Sequence, residues 1–325
     1  MTETLDMVSR IRLDRIRAAE QIIDPVFLRS PQYNCEALSD RLGCELTLKV
    51  ELVNPVRCFK GRGAELLASN LPTGEPVVCA SAGNFGQAMA YACRRRQIPL
   101  VVFSATTVNP LKAGRIRQLG AELILCGEDF DYAKSEARVY AAQQGWRFVE
   151  DAADIETAEG AGTIALELLS MPSPPDVWLI PIGNGGLING MGHVAKALRP
   201  ETRIIGIQAA GAPAMVESWR MGRIVRHSRI DTIADGIGVR VPIPEALADM
   251  QPILDDALLV SDDQILSAMR VLLVHVGVLA EPSAAVGVAA LLAFPDQFRG
   301  RRVATILCGG NVTREQMQAW FQIPH

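Results

Sequence analysis

The chain lacks the residue patterns that build stapled or metal-held proteins. Its seven cysteines (Cys35, Cys44, Cys58, Cys79, Cys93, Cys126, Cys308) are an odd number without a CxxC pair. That argues against a disulfide framework or zinc site and fits reduced thiols in a cytoplasm. The four histidines, His193, His227, His275 and His325, never flank a carboxylate at i, i+4, so there is no zincin motif and no metal site is expected. A His-based triad has no support either. No apolar run reaches the roughly 18 residues of a membrane span, and the N-terminal MTETLDMVSRIRLDRIR has no apolar signal-peptide core. Basic charge is not in excess: the net charge is −4 and the pI about 5.7. A nucleic-acid footprint is therefore not expected. The short run Arg94-Arg95-Arg96 ends an apolar-periodic helix, where it offsets the C-terminal dipole. Solenoid repeats and low-complexity linkers are absent as well.

What is present is apolar. Of 325 residues 49% are hydrophobic and 21% charged, enough for a large core in about two domains. Residues 8–23 carry Val8, Ile11, Ile16 and Ile22 at helical spacing, and 36–42 reads as a short helix ended by Gly43. LTLKVE (46–51) is a strand, and a helix follows over 61–70. Strands 77–80, 100–103 and 122–125 then alternate with helices 84–96, 108–119 and 130–144. A second series runs from helix 155–170 through strand 177–182, helix 188–198, strand 203–207 and helix 213–221. Helices 262–278 and 284–293 and strand 303–308 come after a less regular segment. Capping-box spacing marks Ser261-x-x-Gln264 and Thr313-x-x-Gln316. Short continuous apolar strands between helices predict two α/β units with parallel sheets, and a ligand between them at the carboxyl ends of the strands.

Four stretches could carry chemistry. In NPVRCFKGRGA (54–64), Lys60 sits between Phe59 and a Gly-Arg-Gly run at a helix start, where a lysine is either solvated or a working amine. Ser81-Ala82-Gly83-Asn84-Phe85-Gly86-Gln87 opens the helix after strand 77–80. It reads as an anion site for a carboxylate or as a tight turn capped by Ser81. Gly183-Asn184-Gly185-Gly186-Leu187 lets a backbone approach a ligand closely ahead of a helix, as a phosphate cradle does. It is no Walker A loop, since Gly-Lys-Ser/Thr does not follow. A GxGxxA match at Gly190, Gly192 and Ala195 lies inside the helix, and Gln208 stands where a dinucleotide site wants an acid. Cys308-Gly309-Gly310-Asn311 follows the last strand and offers either a thiol partner for a ring nitrogen or a buried cysteine at a turn. One aldehyde cofactor, pyridoxal phosphate, uses all four: an amine, a phosphate nest, a partner for its phenolic oxygen and one for its ring nitrogen.

These motifs resemble the fold type II (tryptophan synthase β-like) pyridoxal-phosphate enzymes, and within them the serine/threonine dehydratase group. The markers stand in family order from about residue 15 to Asn311: CFKGRGA (58–64), SAGNFGQ (81–87), GNGGLI (183–188), ADGIGV (234–239), EPSAAVGV (281–288) and CGGN (308–311). The resemblance implies a large cofactor-binding domain of residues 1–72 and 153–325 and a small mobile domain of 73–152. It makes Lys60 the lysine that carries the cofactor and the catalytic base, with Phe59 beside the ring. Asn84 would bond the phenolic oxygen, Gly183 to Leu187 hold the phosphate, and Cys308 face the ring nitrogen. Ser81, Ala82, Gly83, Asn84 and Phe85 would bind the substrate. The implied reaction is β-elimination of a 3-hydroxy amino acid to a 2-oxo acid and ammonia. An uncharged Cys308 would not hold the ring nitrogen protonated, which favours elimination over transamination. A homodimer is a common assembly among such relatives.

Departures from the family pattern set the expectations apart. Cys58 replaces the usual serine before Phe-Lys, and Asn184 interrupts the glycine run. Phe85 stands where many relatives have histidine, which places an aryl substrate, as in phenylserine dehydratase, nearly level with the default, serine or threonine. Ala82 occupies the position of the racemases' serine acid/base, and Gln208 and Ala214 the positions of their metal-binding acids, so neither racemisation nor that metal site is expected. The chain ends soon after CGGN, so the regulatory domain of feedback-inhibited threonine dehydratases is expected to be missing. The rival enzyme reading is a β-replacement synthase of the cysteine synthase kind. The rival from another class is a catalytically silent metabolite-binding protein on the same scaffold.

Overall fold

The computed structural model describes residues 9–81 and 83–321. Among them ten strands alternate with helices: β1 (Gln32–Asn34), β2 (Glu45–Val50), β3 (Val77–Ala80), β4 (Leu100–Ser104), β5 (Glu122–Leu125), β6 (Arg147–Val149), β7 (Val177–Pro181), β8 (Arg203–Ala209), β9 (Asp256–Val260) and β10 (Arg302–Leu307). They form two sheets, one in the order β1-β2-β10-β7-β8-β9 and one in the order β5-β4-β3-β6. The pairings are parallel, apart from the antiparallel edge strand β1 on β2. Every residue of β3, β4 and β7 is buried, because helices cover both faces of each sheet. The expectation of two parallel α/β units therefore holds.

The register brings the motif loops together. In the larger sheet Ala304 of β10 lies between Thr47 of β2 and Trp178 of β7. The loops after β2, β7 and β10 consequently leave at one edge, the carboxyl end where ligands of such sheets bind. Those loops hold Lys60, Gly183–Leu187 and Cys308.

Glycines set the helices behind that edge at close range. A Cβ on Gly160 of the Ile155–Leu169 helix would come 2.5 Å from Gly63 Cα, and one on Gly190 would come 1.9 Å from Ala158 O. Backbones can only approach so closely where no side chain intervenes. The Lys60–Ser69, Ile155–Leu169 and Gly186–Leu198 helices thus lock against one another.

Most expected elements recur within a residue or two, and both expected capping boxes are made, by Ser261 with Gln264 and by Thr313 with Gln316. The expected helix over 8–23 is shorter, Leu13–Ala19. Val8 lies outside the described residues, Ile22 is exposed, and Pro25, which has no N–H to continue a helix, opens a separate 3-10 turn. Strand β6 and the segment with β9 carried no strand reading, since three residues are too few for periodicity and β9 is only partly buried. The basic run does more than oppose a dipole: Arg95 pairs with Asp24 at 2.5 Å, and Arg95 and Arg96 reach buried Glu65 at 3.1 and 3.0 Å.

Candidate active site

Lys60 is the first residue of its helix, and the loop before it is folded by one side chain. Asn54 Nδ2 donates to the carbonyls of Glu51 (2.8 Å) and Cys58 (3.1 Å), while its Oδ1 accepts from Val56 N (3.1 Å) and Cys58 N (3.3 Å). The loop is then stitched to the CGGN segment: Phe59 N donates to Cys308 O (3.0 Å), and Gly310 N donates to Arg57 O (2.9 Å). Two motifs about 250 residues apart in sequence become one surface.

Beneath the helix lies a buried ionic network. Arg62 donates to Glu51 at 2.8 and 2.9 Å, to Glu167 at 2.6 Å and to Thr163 at 2.9 Å. Lys49 pairs with Glu167, and Ser30 donates to Glu51. Burial by itself would raise Glu167, but the Arg62 guanidinium and then the Lys49 ammonium outweigh it and hold the carboxyl below its ordinary value. The network fixes the helix and with it the direction of Lys60.

On the open side, Lys60 Nζ lies 4.7 Å from the Phe59 ring centroid and donates to Asp151 Oδ2 at 2.5 Å. The described members of the expected site (Phe59, Lys60, Ser81, Gly83, Asn84, Phe85, Gly183, Asn184, Gly185, Gly186, Leu187 and Cys308) all line one cavity of about 620 Å³. Ala82 lies outside the described residues.

The residues present suit pyridoxal phosphate. No side chain caps the Gly186–Leu198 helix, so its first N–H groups are left for an anion. Gly185 has φ +105°, and a Cβ there would meet Asn189 Nδ2 at 3.0 Å, so the loop needs glycine. Asn184, which interrupts the run, lines the same cavity. Asn84 Nδ2 donates to Glu281 Oε1 at 2.6 Å, and its Oδ1 accepts from Asn311 Nδ2 at 2.9 Å, which leaves one amide N–H for a ligand. Ser81 Oγ accepts from Gly83 N (2.9 Å) and Gly86 N (2.8 Å), capping the turn while its own O–H stays free to donate.

Burial, reinforced by Glu281, pushes the Cys58 thiol up to about 12 and raises Cys308 well above its ordinary value, so neither is a thiolate at neutral pH. Cys308 Sγ points at Ser283 O, 3.7 Å away. Burial also raises Glu281, against the pull of Lys112. Gln208 is buried and accepts from Val216 N at 3.0 Å.

Four charged residues of this cavity carried no role in the sequence reading: Glu281, Lys112, Asp235 and Asp151. Glu281 opens the EPSAAVGV motif and accepts from Asn84 Nδ2 (2.6 Å) and Asn311 N (3.1 Å). Lys112 reaches across the cleft to Asp235 at 2.7 Å, and Asp235 also lay within a quoted motif. Asp151 follows the unread strand β6 and carried no sequence signal.

Residues 23–309 match the family described as pyridoxal-phosphate dependent enzyme, and the chain belongs to that family. Its cofactor is pyridoxal phosphate, as the motifs implied. It is 35% identical to the L-threonine dehydratase biosynthetic IlvA of Halalkalibacterium halodurans over 318 residues, covering 96% of this chain and 77% of that protein. Among solved structures, a threonine deaminase from T.th. matches with a TM-score of 0.87 at 30% identity, covering 93% of this chain and 98% of that one. Maize serine racemase matches with a TM-score of 0.88 at 27% identity, over 96% and 97%.

Proposed function

We propose that this chain eliminates the β-hydroxyl of a 3-hydroxy amino acid to give a 2-oxo acid and ammonia. The observation that carries this reading is the meeting of Lys60, the uncapped 183–187 loop and the Ser81–Phe85 turn around one cavity. Bound pyridoxal phosphate supplies an aldehyde that joins amines and a ring that takes up the charge left when the α C–H bond breaks.

The chain supplies the rest. The N–H groups of Gly183 to Leu187 would hold the phosphate, Phe59 would pack beside the ring and Asn84 would give its remaining N–H to the phenolic oxygen. Cys308, a neutral thiol, would face the ring nitrogen. Ser81 O–H and the loop of Gly83 and Asn84 hold the substrate carboxylate, and Lys60 takes the α-proton. Residues 73–152 act as a small body that moves against 1–72 and 153–325; the Lys112–Asp235 and Arg240–Asp131 pairs, 2.7 and 2.8 Å, bridge the two. The described cysteines, all unpaired, suit a reducing cytoplasm, and a homodimer is the assembly proposed.

Serine and threonine are the default substrates. A 3-aryl substrate is the second reading, favoured by Phe85, which is buried yet borders the cavity with Phe130, Val108 and Val239. The test compares 2-oxo acid and ammonia release from serine, threonine and both phenylserine diastereomers. Release from at least one, lost in Lys60→Ala, is expected. Product formed only with an added thiol would favour replacement, and full turnover by Lys60→Ala would overturn the assignment.

A further inference from the structure

The Lys60–Asp151 pair uses only one oxygen of its carboxylate. Its side chains are 16% and 15% exposed. Oδ2 accepts from Lys60 at 2.5 Å, while Oδ1 is buried and has no hydrogen-bond partner. That free oxygen faces the phosphate loop, lying 3.7 Å from where a Cβ on Gly186 would sit. A carboxylate beside an anion cradle is electrostatically unfavourable unless a cation is held with it.

The turn that presents Asp151 is built firmly. Asp154 accepts from Glu150 N at 2.6 Å, and Thr157 Oγ1 accepts from Ala152 N at 2.9 Å. Ala152 is held at φ +66°, a conformation uncommon for alanine. Thr157 in turn backs directly onto Gly63, three residues along the helix from Lys60. The carboxylate and the amine are thus fixed to the same packed unit.

We propose that Asp151 is a positioning residue for the Lys60 amine, holding it whenever it is not joined to the cofactor and stabilising the ammonium it becomes on taking the α-proton. This rests on Lys60 being the base. In that step the substrate Cα–H bond breaks, the proton forms a new N–H bond on the Lys60 lone pair, and the C–H electron pair stays with the substrate and the ring it is joined to. Positive charge appears on Nζ at the position where Oδ2 accepts from it. Stabilisation arranged in advance at a site of developing charge speeds the step.

The test uses the purified full-length protein with Asp151→Asn, Asp151→Glu and Lys60→Ala, in two readouts. In the apoprotein, Asp151→Asn should link pyridoxal phosphate severalfold faster at neutral pH, because the amine is no longer tied to a carboxylate. In the holoprotein it should lower kcat roughly tenfold to a hundredfold with little change in KM. The isotope effect with α-deuterated substrate should grow, and Asp151→Glu should recover part of the rate. An unchanged isotope effect, or loss confined to cofactor affinity and melting temperature, would overturn the proposal. If Asp151→Asn does not fold, Asp151→Glu alone decides through the same isotope effect. An active Lys60→Ala would instead sink the assignment of the base, whatever Asp151 does.

Discussion

Two ionic systems sit two residues apart on one helix and face opposite ways. Arg62 is fully buried and directs its donors to Glu51, Glu167, Thr163 and Ser30. Lys60 is partly open and has a single carboxylate partner, one oxygen of which goes unused. A buried charge must be completely partnered or the fold fails, whereas a charge that has to change state during a reaction needs a partner it can part from. The network under the helix is structural for the same reason that the pair above it can be chemical.

The contrast makes three predictions about stability. Arg62→Ala should break the buried side outright, since Glu51 and Glu167 would be left as uncompensated buried charges; a loss of about 3–5 kcal/mol is expected in chemical denaturation. Glu167→Gln should cost less, about 1–3 kcal/mol at neutral pH. Its cost should also depend on pH. Because the Glu167 carboxyl is held below its ordinary value of 4.5 in the folded state, its stabilisation is fully present above that value and lost as pH falls through the folded one. The difference between wild type and Glu167→Gln should therefore close in acid unfolding curves below that ordinary value, and a gap constant with pH would count against the network. The smallest effect belongs to the cleft: Asp151→Asn should leave stability within about 1 kcal/mol, or raise it, as expected where residues serve activity rather than folding. A loss as large as that of Arg62→Ala would erase the distinction.

The larger features were open to reading from sequence because each left a local mark. Continuous apolar runs such as VWLIP and VVCA between helices read as parallel strands covered on both faces, and the glycine loops stand directly after them. Lys60, Asn84 and Cys308 were legible through motifs. Arg62 belonged to a motif too, but an arginine at a helix start reads as solvated, and only the pairing of β2 with β10 and the packing of the 155–169 helix bring Glu51 and Glu167 to it. Asp151 was the least legible. It follows a three-residue strand whose place depends on pairing with β3, and it meets Lys60 across 91 residues of chain. Nothing in VEDAAD distinguishes that aspartate from its neighbours.

The central claim is that Lys60 is the lysine that works with the cofactor. Borohydride reduction of the protein loaded with pyridoxal phosphate, followed by peptide mass spectrometry, tests it most directly. The account predicts the reduced cofactor on Lys60, in the peptide containing Cys58 to Arg62. Attachment at Lys112 or Lys134, the other lysines bordering the cavity, or no attachment at all, would contradict it.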